Sequence, residues 1–185
     1  MKRKSIGTEH SMCVQPTFII GTYDENGNAD FAPITWLSVT CAEGEHYLLV
    51  ISMWGTKKTK QNVKKTGKLS ANLVSIDMLP LVDYFGSTTA HEGIKNAKNY
   101  NISEGEVVKV PTLDDSKWVY ELEVVKTVTV GESDTFFGDI KNVQIAENID
   151  ISAGIDLTQF QPVVYSGHYH SVGEYLGKIG DFLEM

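Results

Sequence analysis

Sequence signatures of several common protein classes are absent from this chain of 185 residues. Its only two cysteines, Cys13 and Cys41, are too few for a disulfide framework and are expected to be plain thiols. No GxSxG, HExxH, Walker or GxGxxG motif occurs, so a hydrolase elbow and a Rossmann dinucleotide site both lack their usual signature. No apolar run approaches the roughly 20 residues that a membrane-spanning helix needs. Familiar catalytic motifs therefore give no guide to function.

Positive charge is also scarce, because 16 lysines and arginines face 24 aspartates and glutamates, which gives a formal net charge of -8. Such a charge opposes binding to nucleic acid and to anionic membrane surfaces. The first residues are basic and polar and do not lead into the apolar core of a signal peptide. We therefore expect a cytoplasmic protein that binds neither nucleic acid nor a membrane.

What the chain does contain is an ordinary globular composition, with 42% hydrophobic and 22% charged residues. Single domains usually have about 50 to 250 residues. We therefore expect residues 1–185 to form one domain.

Segments rich in β-branched and aromatic residues outnumber helical ones. Strands are predicted at residues 17–23, 29–35, 47–53, 69–74, 118–130, 135–145 and 162–170. The Asn26-Gly27 pair and residues 131–134 predict tight hairpins, whereas helices are predicted at 56–67 and 76–85, with one or two further turns at 91–99. Pro33 cannot donate to a strand ladder, so its strand should be interrupted or lie at an edge. The pattern predicts a mainly β fold, an antiparallel barrel with short peripheral helices.

Concentrated positive charge occurs in one place, the predicted helix at residues 56–67. Its basic residues are Lys57, Lys58, Lys60, Lys64 and Lys65. A helix start has free backbone N–H groups and a partial positive charge, so threonines and lysines at this position can hold a phosphate. A solvated basic helix face explains the same pattern and is the more common case.

Aromatic and imidazole groups offer two weaker candidates. Trp36 follows a predicted strand and is flanked by Thr35 and Ser38, a setting in which a planar ligand can stack, although a lone Trp more often packs on a core. His168 and His170 lie two residues apart on a predicted strand, so they face one side and can suit a metal. With no third ligand evident, structural or surface histidines are favoured over a metal site.

Several short segments follow one another in a recognisable order, and they are residues 16–27, 32–36, 58–62, 70–74, 91–95, 137–140, 162–167, Tyr169 and 175–177. Their order resembles that of the flavin reductase-like FMN-binding family, of the flavoredoxin-like type. Each motif alone is weak, but their order and spacing are specific, and they cover nearly the whole chain. A pyridoxamine-phosphate-oxidase-like protein would have a related barrel, but the segment order fits it less well.

This resemblance implies a split β-barrel that forms a homodimer and binds FMN near the subunit interface. By position in the motifs, Thr35, Trp36, Leu37 and Ser38 would border the isoalloxazine ring. Lys58, Thr59 and Asn62 would serve the phosphate, with Lys58 and Thr59 as the expected anchors on an exposed helix start. Lys95 would reach FMN from residues 86–111, and Phe137 and Tyr169 would approach the ring.

The chain departs from the family pattern at two positions. Asp30 stands where asparagine is common, and residues 134–137 lack the histidine that often precedes the family's GEV motif. The function implied by the resemblance is an FMN-dependent oxidoreductase that passes electrons from NADH, NADPH or a partner protein to an acceptor. The alternative is an FMN-binding electron carrier without nicotinamide chemistry of its own.

Overall fold

The computed structural model describes residues 1–10, 13–87 and 100–177. Numbered along the chain, its strands are β1 (Gln15–Pro16), β2 (Phe18–Tyr23), β3 (Ala29–Ile34), β4 (Leu37–Cys41), β5 (Tyr47–Trp54), β6 (Lys68–Leu73), β7 (Ile102–Glu104), β8 (Pro111–Leu113), β9 (Trp118–Val130), β10 (Ser133–Ile145), β11 (Val163–Tyr165) and β12 (Tyr169–Ser171). The helices are α1 (Lys58–Thr66), α2 (Leu79–Ser87) and α3 (Leu157–Phe160), and a 3₁₀ turn at Ile76–Met78 precedes α2.

Seven strands form one antiparallel sheet in the order β3-β2-β6-β9-β10-β5-β4. Its edge strands, β3 and β4, follow each other in the chain and are separated only by Thr35 and Trp36. Three Cα–Cα steps of 3.8 Å span at most about 11 Å. The sheet therefore curls until its two edges lie close together, which makes a barrel that is split at the Thr35–Trp36 corner.

Alternation of side chains along β2 builds two cores, one on each face of the sheet. Ile20 points into the barrel, where it packs with fully buried residues of β5, β6, β9 and β10, including Leu122 and Phe136. Ile19 points outward into a second cluster, in which α2 covers β3 and the rings of Phe31 and Phe85 stack at 5.5 Å. The barrel is thus braced from outside by α2.

Helix α1 lies against the β2–β3 hairpin through polar contacts. The Asn62 side chain donates to Thr22 Oγ1 at 3.1 Å, and the Thr59 hydroxyl donates to the buried Asp30 carboxylate. The helix ends at Gly67, whose φ of 67° is left-handed and whose N–H donates to the Val63 carbonyl. This arrangement fixes the start of α1 beside the end of β5.

A buried carboxylate, Glu121 on β9, organises the opposite part of the sheet. It accepts hydrogen bonds from the N–H groups of residues 106, 107 and 108 and from the side chains of Asn142 and Gln144, at 2.6 to 3.0 Å. Gly105 is required here, because an added Cβ would lie 2.7 Å from Glu121 Oε2. Glu121 thus ties the loop before β8 to strand β10.

The structure confirms most predicted elements and revises some. Pro33 lies on edge strand β3, and the predicted strand at 162–170 is instead two strands, β11 and β12, joined by a turn at Gly167 with φ of 76°. Strand β3 ends at Ile34, one residue before the predicted end, and the chain re-enters the sheet at the other edge as β4, which the sequence analysis missed. The predicted turns at 91–99 lie outside the described residues.

In the part of the chain that the structure describes, no helix has the length and apolar character needed to cross a membrane.

Candidate functional site

Thr35 and Trp36 open onto a cavity at the split of the barrel, which we call the corner pocket. It has a volume of about 270 Å³. Its lining residues are His10, Cys13, Gln15, Thr35, Trp36, Tyr165, Ser166 and Gly167. Trp36 is 44% exposed, so much of its indole remains accessible, unlike the side chain of a core residue. Two of the four residues predicted to border a planar ligand, Thr35 and Trp36, therefore line a cavity.

Tyr169 joins this region indirectly, through a neighbouring tyrosine. Its ring contacts that of Tyr165 edge-on at 5.6 Å, and Tyr165 lines the corner pocket. The Tyr169 hydroxyl donates to Asp83 Oδ1 of α2 at 3.2 Å. The pKa of Tyr169 is raised, chiefly by burial and then by Asp83, so the phenol stays protonated near neutral pH. Tyr169 thus supports the pocket wall and is anchored to α2.

Ser38 and Phe137 come together on the outer face of the sheet. Both lie opposite Val50, Ser38 on β4 and Phe137 on β10, so the three side chains share one face. Leu37 is different, because it packs partly buried against the core inside the barrel. The sequence-based assignment of Leu37 to a ring-bordering position stays a prediction, and its contacts in this structure are those of a core residue.

Trp54 lies four residues after Val50 on β5 and therefore on the same outer face, and the sequence analysis did not identify it. Trp54 is 59% exposed and lies opposite Ser133. The Ser52 N–H donates to the Trp36 carbonyl at 2.9 Å, so the corner pocket and Trp54 are linked along the end of β5. In the sequence, a Trp directly after an apolar predicted strand and before a basic predicted helix could have pointed to this residue.

Trp54 forms one wall of a second cavity, the α1 pocket, with a volume of about 390 Å³. Its lining residues are Trp54, Gly55, Thr56, Lys60 and Glu132. The pocket lies where the chain leaves β5 and enters α1. It therefore places an aromatic face beside a helix start.

The start of α1 offers unused hydrogen-bond donors. Its N-cap is Lys57, whose extended backbone makes no side-chain cap, and no acidic residue occupies the first turn. Thr56, where the predicted helix began, precedes the cap position and is exposed. Backbone N–H groups of a first helical turn have no partner within the helix. With the exposed Lys57 ammonium and the Thr56 hydroxyl, they form a donor set suited to an anion.

Most lysines of α1 are already paired with acidic groups. Lys58 lies 3.5 Å from Asp24, Lys65 lies 2.7 Å from Glu25, and Lys60 and Lys64 lie 3.4 and 3.1 Å from Asp134. Within the described residues, Lys57 alone among the five makes no ion pair. The free positive charge at this helix start therefore belongs mainly to Lys57.

Two residues expected at the phosphate are buried and bonded inside the protein. Thr59 is 1% exposed and donates to Asp30, and Asn62 is buried and donates to Thr22. The expectation that Thr59 lies on an exposed helix face is therefore wrong, because the helix turns this face toward the β2–β3 hairpin. Lys95 lies outside the described residues.

Both departures from the family pattern contact α1. Asp30 accepts the Thr59 hydroxyl, and Asp134 accepts from Lys64. The pKa of Asp134 lies below its ordinary value, first because Thr129 donates to it and further because of the two lysines, so it is charged at neutral pH. These two aspartates hold the helix on the barrel.

The cysteine and histidine residues that the structure describes form no group able to hold a metal ion. Cys13 and Cys41 are both exposed free thiols, and His168 and His170 are exposed on either side of Tyr169. Among residues 1–10, 13–87 and 100–177, no group of three or more His, Cys, Asp or Glu side chains is placed to hold a metal ion.

Comparisons with known proteins agree with this geometry. A family model described as flavin reductase like domain matches residues 10–173. A curated relative from Aeropyrum pernix, described as an uncharacterized protein, is 25% identical over 129 residues, which cover 68% of this chain and 48% of the relative. The matched region thus spans about half of that relative's length.

Solved structures share the fold over nearly the whole chain. The flavoredoxin of Desulfovibrio vulgaris superposes with a TM-score of 0.88 at 22% identity, covering 98% of this chain and 99% of that one. An FMN-binding protein from Thermus thermophilus with bound p-hydroxybenzaldehyde gives a TM-score of 0.77 at 20% identity, covering 96% and 97%.

Because the family model matches most of its length, the chain belongs to the flavin reductase like domain family. The predicted family and the predicted mainly β fold with short peripheral helices are both confirmed.

Proposed function

We propose that this protein binds FMN and acts as an FMN-dependent oxidoreductase, passing electrons from NADH, NADPH or a partner protein to an acceptor. The observation that carries this proposal is the uncapped start of α1 beside the exposed indole of Trp54. A phosphate monoester needs several N–H or O–H donors and a positive charge, and a flavin ring needs an aromatic or apolar face. The α1 pocket, of about 390 Å³, is lined by Trp54 and Thr56, and Lys57 follows Thr56 directly at the N-cap of α1.

The donor set at the start of α1 suits FMN if the phosphate-binding residues differ from those expected from the sequence. We assign the phosphate to the Lys57 ammonium, the Thr56 hydroxyl and the backbone N–H groups of Lys58 and Thr59. This choice is favoured because the Lys58 ammonium and the Thr59 hydroxyl already have partners in Asp24 and Asp30.

The ring is assigned to the outer face of the sheet between Trp54 and Trp36, with Ser38 and Phe137 on neighbouring strands. Bound FMN would supply reversible hydride and single-electron transfer, which amino-acid side chains do not offer. The indoles of Trp36 and Trp54 would exclude water from the ring. No acidic or basic side chain is required as a proton donor.

Homodimerisation belongs to the same proposal. Trp36, Val39 and Trp54 are large exposed apolar residues on or beside the edge strand β4 and its neighbour β5. Such exposed apolar surface often marks an interface, and two-fold dimers are the commonest oligomers. A monomeric mass by light scattering, with FMN bound, would contradict this part of the proposal.

An FMN-binding electron carrier remains the second candidate, since the sequence carries no GxGxxG dinucleotide fingerprint. Anaerobic mixing of the FMN-loaded protein with NADH and with NADPH separates the two functions. A reductase bleaches the flavin absorbance at a useful rate with one of them. A carrier leaves the absorbance unchanged while dithionite still reduces the flavin.

A further inference from the structure

A buried ion pair joins helix α1 to the β9–β10 hairpin at the edge of the α1 pocket. Lys60 Nζ lies 3.4 Å from Asp134 Oδ2, and the two side chains are only 11% and 3% exposed. Removing one member of a buried pair leaves an uncompensated charge, whereas exposed pairs contribute little. This pair is therefore distinct from the Lys65–Glu25 pair, whose side chains are both more than half exposed.

The same lysine also holds the tip of the hairpin. Lys60 Nζ donates to the Glu132 carbonyl at 2.9 Å, and the Gly55 N–H donates to that same carbonyl at 3.2 Å. Gly55, Lys60 and Glu132 all line the α1 pocket. One wall of the pocket is thus built from the contacts that fasten the hairpin to the β5–α1 connection.

Asp134 is itself held from two sides. Thr129 Oγ1 donates to Oδ1 at 2.5 Å, and Lys64 Nζ lies 3.1 Å from Oδ2. The carboxylate therefore belongs rigidly to the hairpin. Its charge offsets that of Lys60, so Lys60 attracts anions more weakly than Lys57, which makes no ion pair with a described residue.

We propose that Asp134 is a positioning residue of the α1 pocket, acting through Lys60 to hold the hairpin tip against the β5–α1 connection. This inference rests on the proposed FMN site. Lys60 then contributes the position of the pocket wall and Lys57 contributes the charge that binds the phosphate. Because this wall would border the ligand as a whole, its displacement should weaken the binding of flavins with and without a phosphate by a similar factor.

The test compares FMN with riboflavin, which lacks the phosphate, in four variants of the full chain. Asp134→Asn and Lys60→Met break the pair, Asp134→Glu keeps the charge, and Lys64→Ala is the control. Lys64 contacts the same carboxylate but does not line the pocket. Dissociation constants come from fluorescence quenching, and the flavin absorption bands and melting temperatures are recorded in parallel.

We expect Asp134→Asn and Lys60→Met to weaken FMN and riboflavin by a similar factor, about fivefold, the effect of one hydrogen bond. The flavin absorption bands should shift in both variants. Asp134→Glu should recover part of the affinity, and Lys64→Ala should stay within about twofold of the parent even where its melting temperature falls.

Three results would overturn the inference. Lys60→Met could weaken FMN alone, which would make Lys60 a phosphate ligand. Asp134→Asn could strengthen FMN binding, which would make Asp134 a charge regulator only. Unchanged flavin affinities and spectra in both variants would make the Lys60–Asp134 pair purely structural. If Asp134→Asn does not fold, the result with Lys60→Met decides the question. Failure of the proposed function is seen separately, as absence of FMN binding by the parent.

Discussion

Two polar regions of this molecule, the Glu121 cluster and the start of α1, use their hydrogen-bond donors in opposite ways. Around Glu121 five donors converge on one fully buried carboxylate. At the start of α1 the first turn has no side-chain cap and no acid, and Lys57 makes no ion pair with a described residue.

This difference distinguishes the residues that stabilise the fold, the scaffold, from those that are available to bind a ligand, the site. Donors that are satisfied inside the protein stabilise the fold, because each would cost free energy if it were left unpaired in the interior. Donors that face a cavity without a protein partner are available to a ligand. The lysines of α1 and its N-cap divide along the same line, since Lys60 and Lys64 fasten the helix, whereas Lys57 makes no ion pair within the described residues.

The largest expected effect is on the scaffold. Glu121→Ala leaves five donors without their acceptor and should lower the free energy of unfolding by about 3–5 kcal/mol. The control is Glu123→Ala on the same strand, which loses one partly exposed contact to Lys68 and should cost less than about 1 kcal/mol. Urea unfolding of the three proteins measures this. Equal losses of unfolding free energy in Glu121→Ala and Glu123→Ala would contradict the structural role assigned to Glu121.

The same carboxylate predicts an acid dependence of stability. Burial, the largest single influence, raises the pKa of Glu121, but the hydrogen bonds from Val108, Asn142, Gln144 and Val107 together bring it below its ordinary value. A folded-state pKa below the unfolded one stabilises the folded protein above the unfolded value, about 4.3, and this contribution is lost as pH falls through the folded value.

Glu121→Gln removes that titration. The difference in unfolding free energy between parent and Glu121→Gln should therefore shrink as pH is lowered from 6 toward 3. Urea unfolding at several pH values tests it. A difference that stays constant, or grows, on acidification would contradict the lowered pKa.

A smaller effect distinguishes two adjacent lysines at the site. Lys57→Ala should weaken FMN about tenfold and leave riboflavin unchanged, because a charge-assisted bond to a phosphate is worth about 1.5–3 kcal/mol. Lys58→Ala, which loses the Asp24 pair instead, should weaken FMN less than about threefold. Titration of both variants with both flavins gives the answer. A larger loss in Lys58→Ala would restore the sequence-based assignment of Lys58.

Sequence patterns were sufficient for most of the fold because they are local. The β-branched and aromatic composition, the Asn26-Gly27 turn and Gly67 identify β2, β3 and the end of α1 without any knowledge of packing. The sequence analysis missed β4 although Leu37 to Cys41 alternates apolar and polar residues, because the strand has only five residues and follows β3 after a break of two residues.

The site was only partly predictable, because it depends on which partner each polar group finds. Motif position alone suggested Lys58 and Thr59, but Asp24 and Asp30 engage them from a hairpin about 30 residues earlier in the chain. Lys57 and Lys58 are chemically alike in the sequence. They differ only once the β2–β3 hairpin is folded against α1.

The central claim is that the start of α1 binds the phosphate of FMN, and parallel fluorescence titrations of the unmodified protein with FMN and riboflavin test it most directly. The two ligands share the ring and differ by the phosphate, which carries about -1.5 to -2 charges at neutral pH, by analogy with phosphoserine. The account predicts that FMN binds at least about tenfold more tightly than riboflavin, a difference that decreases as salt is added. Equal affinities for the two ligands would contradict it.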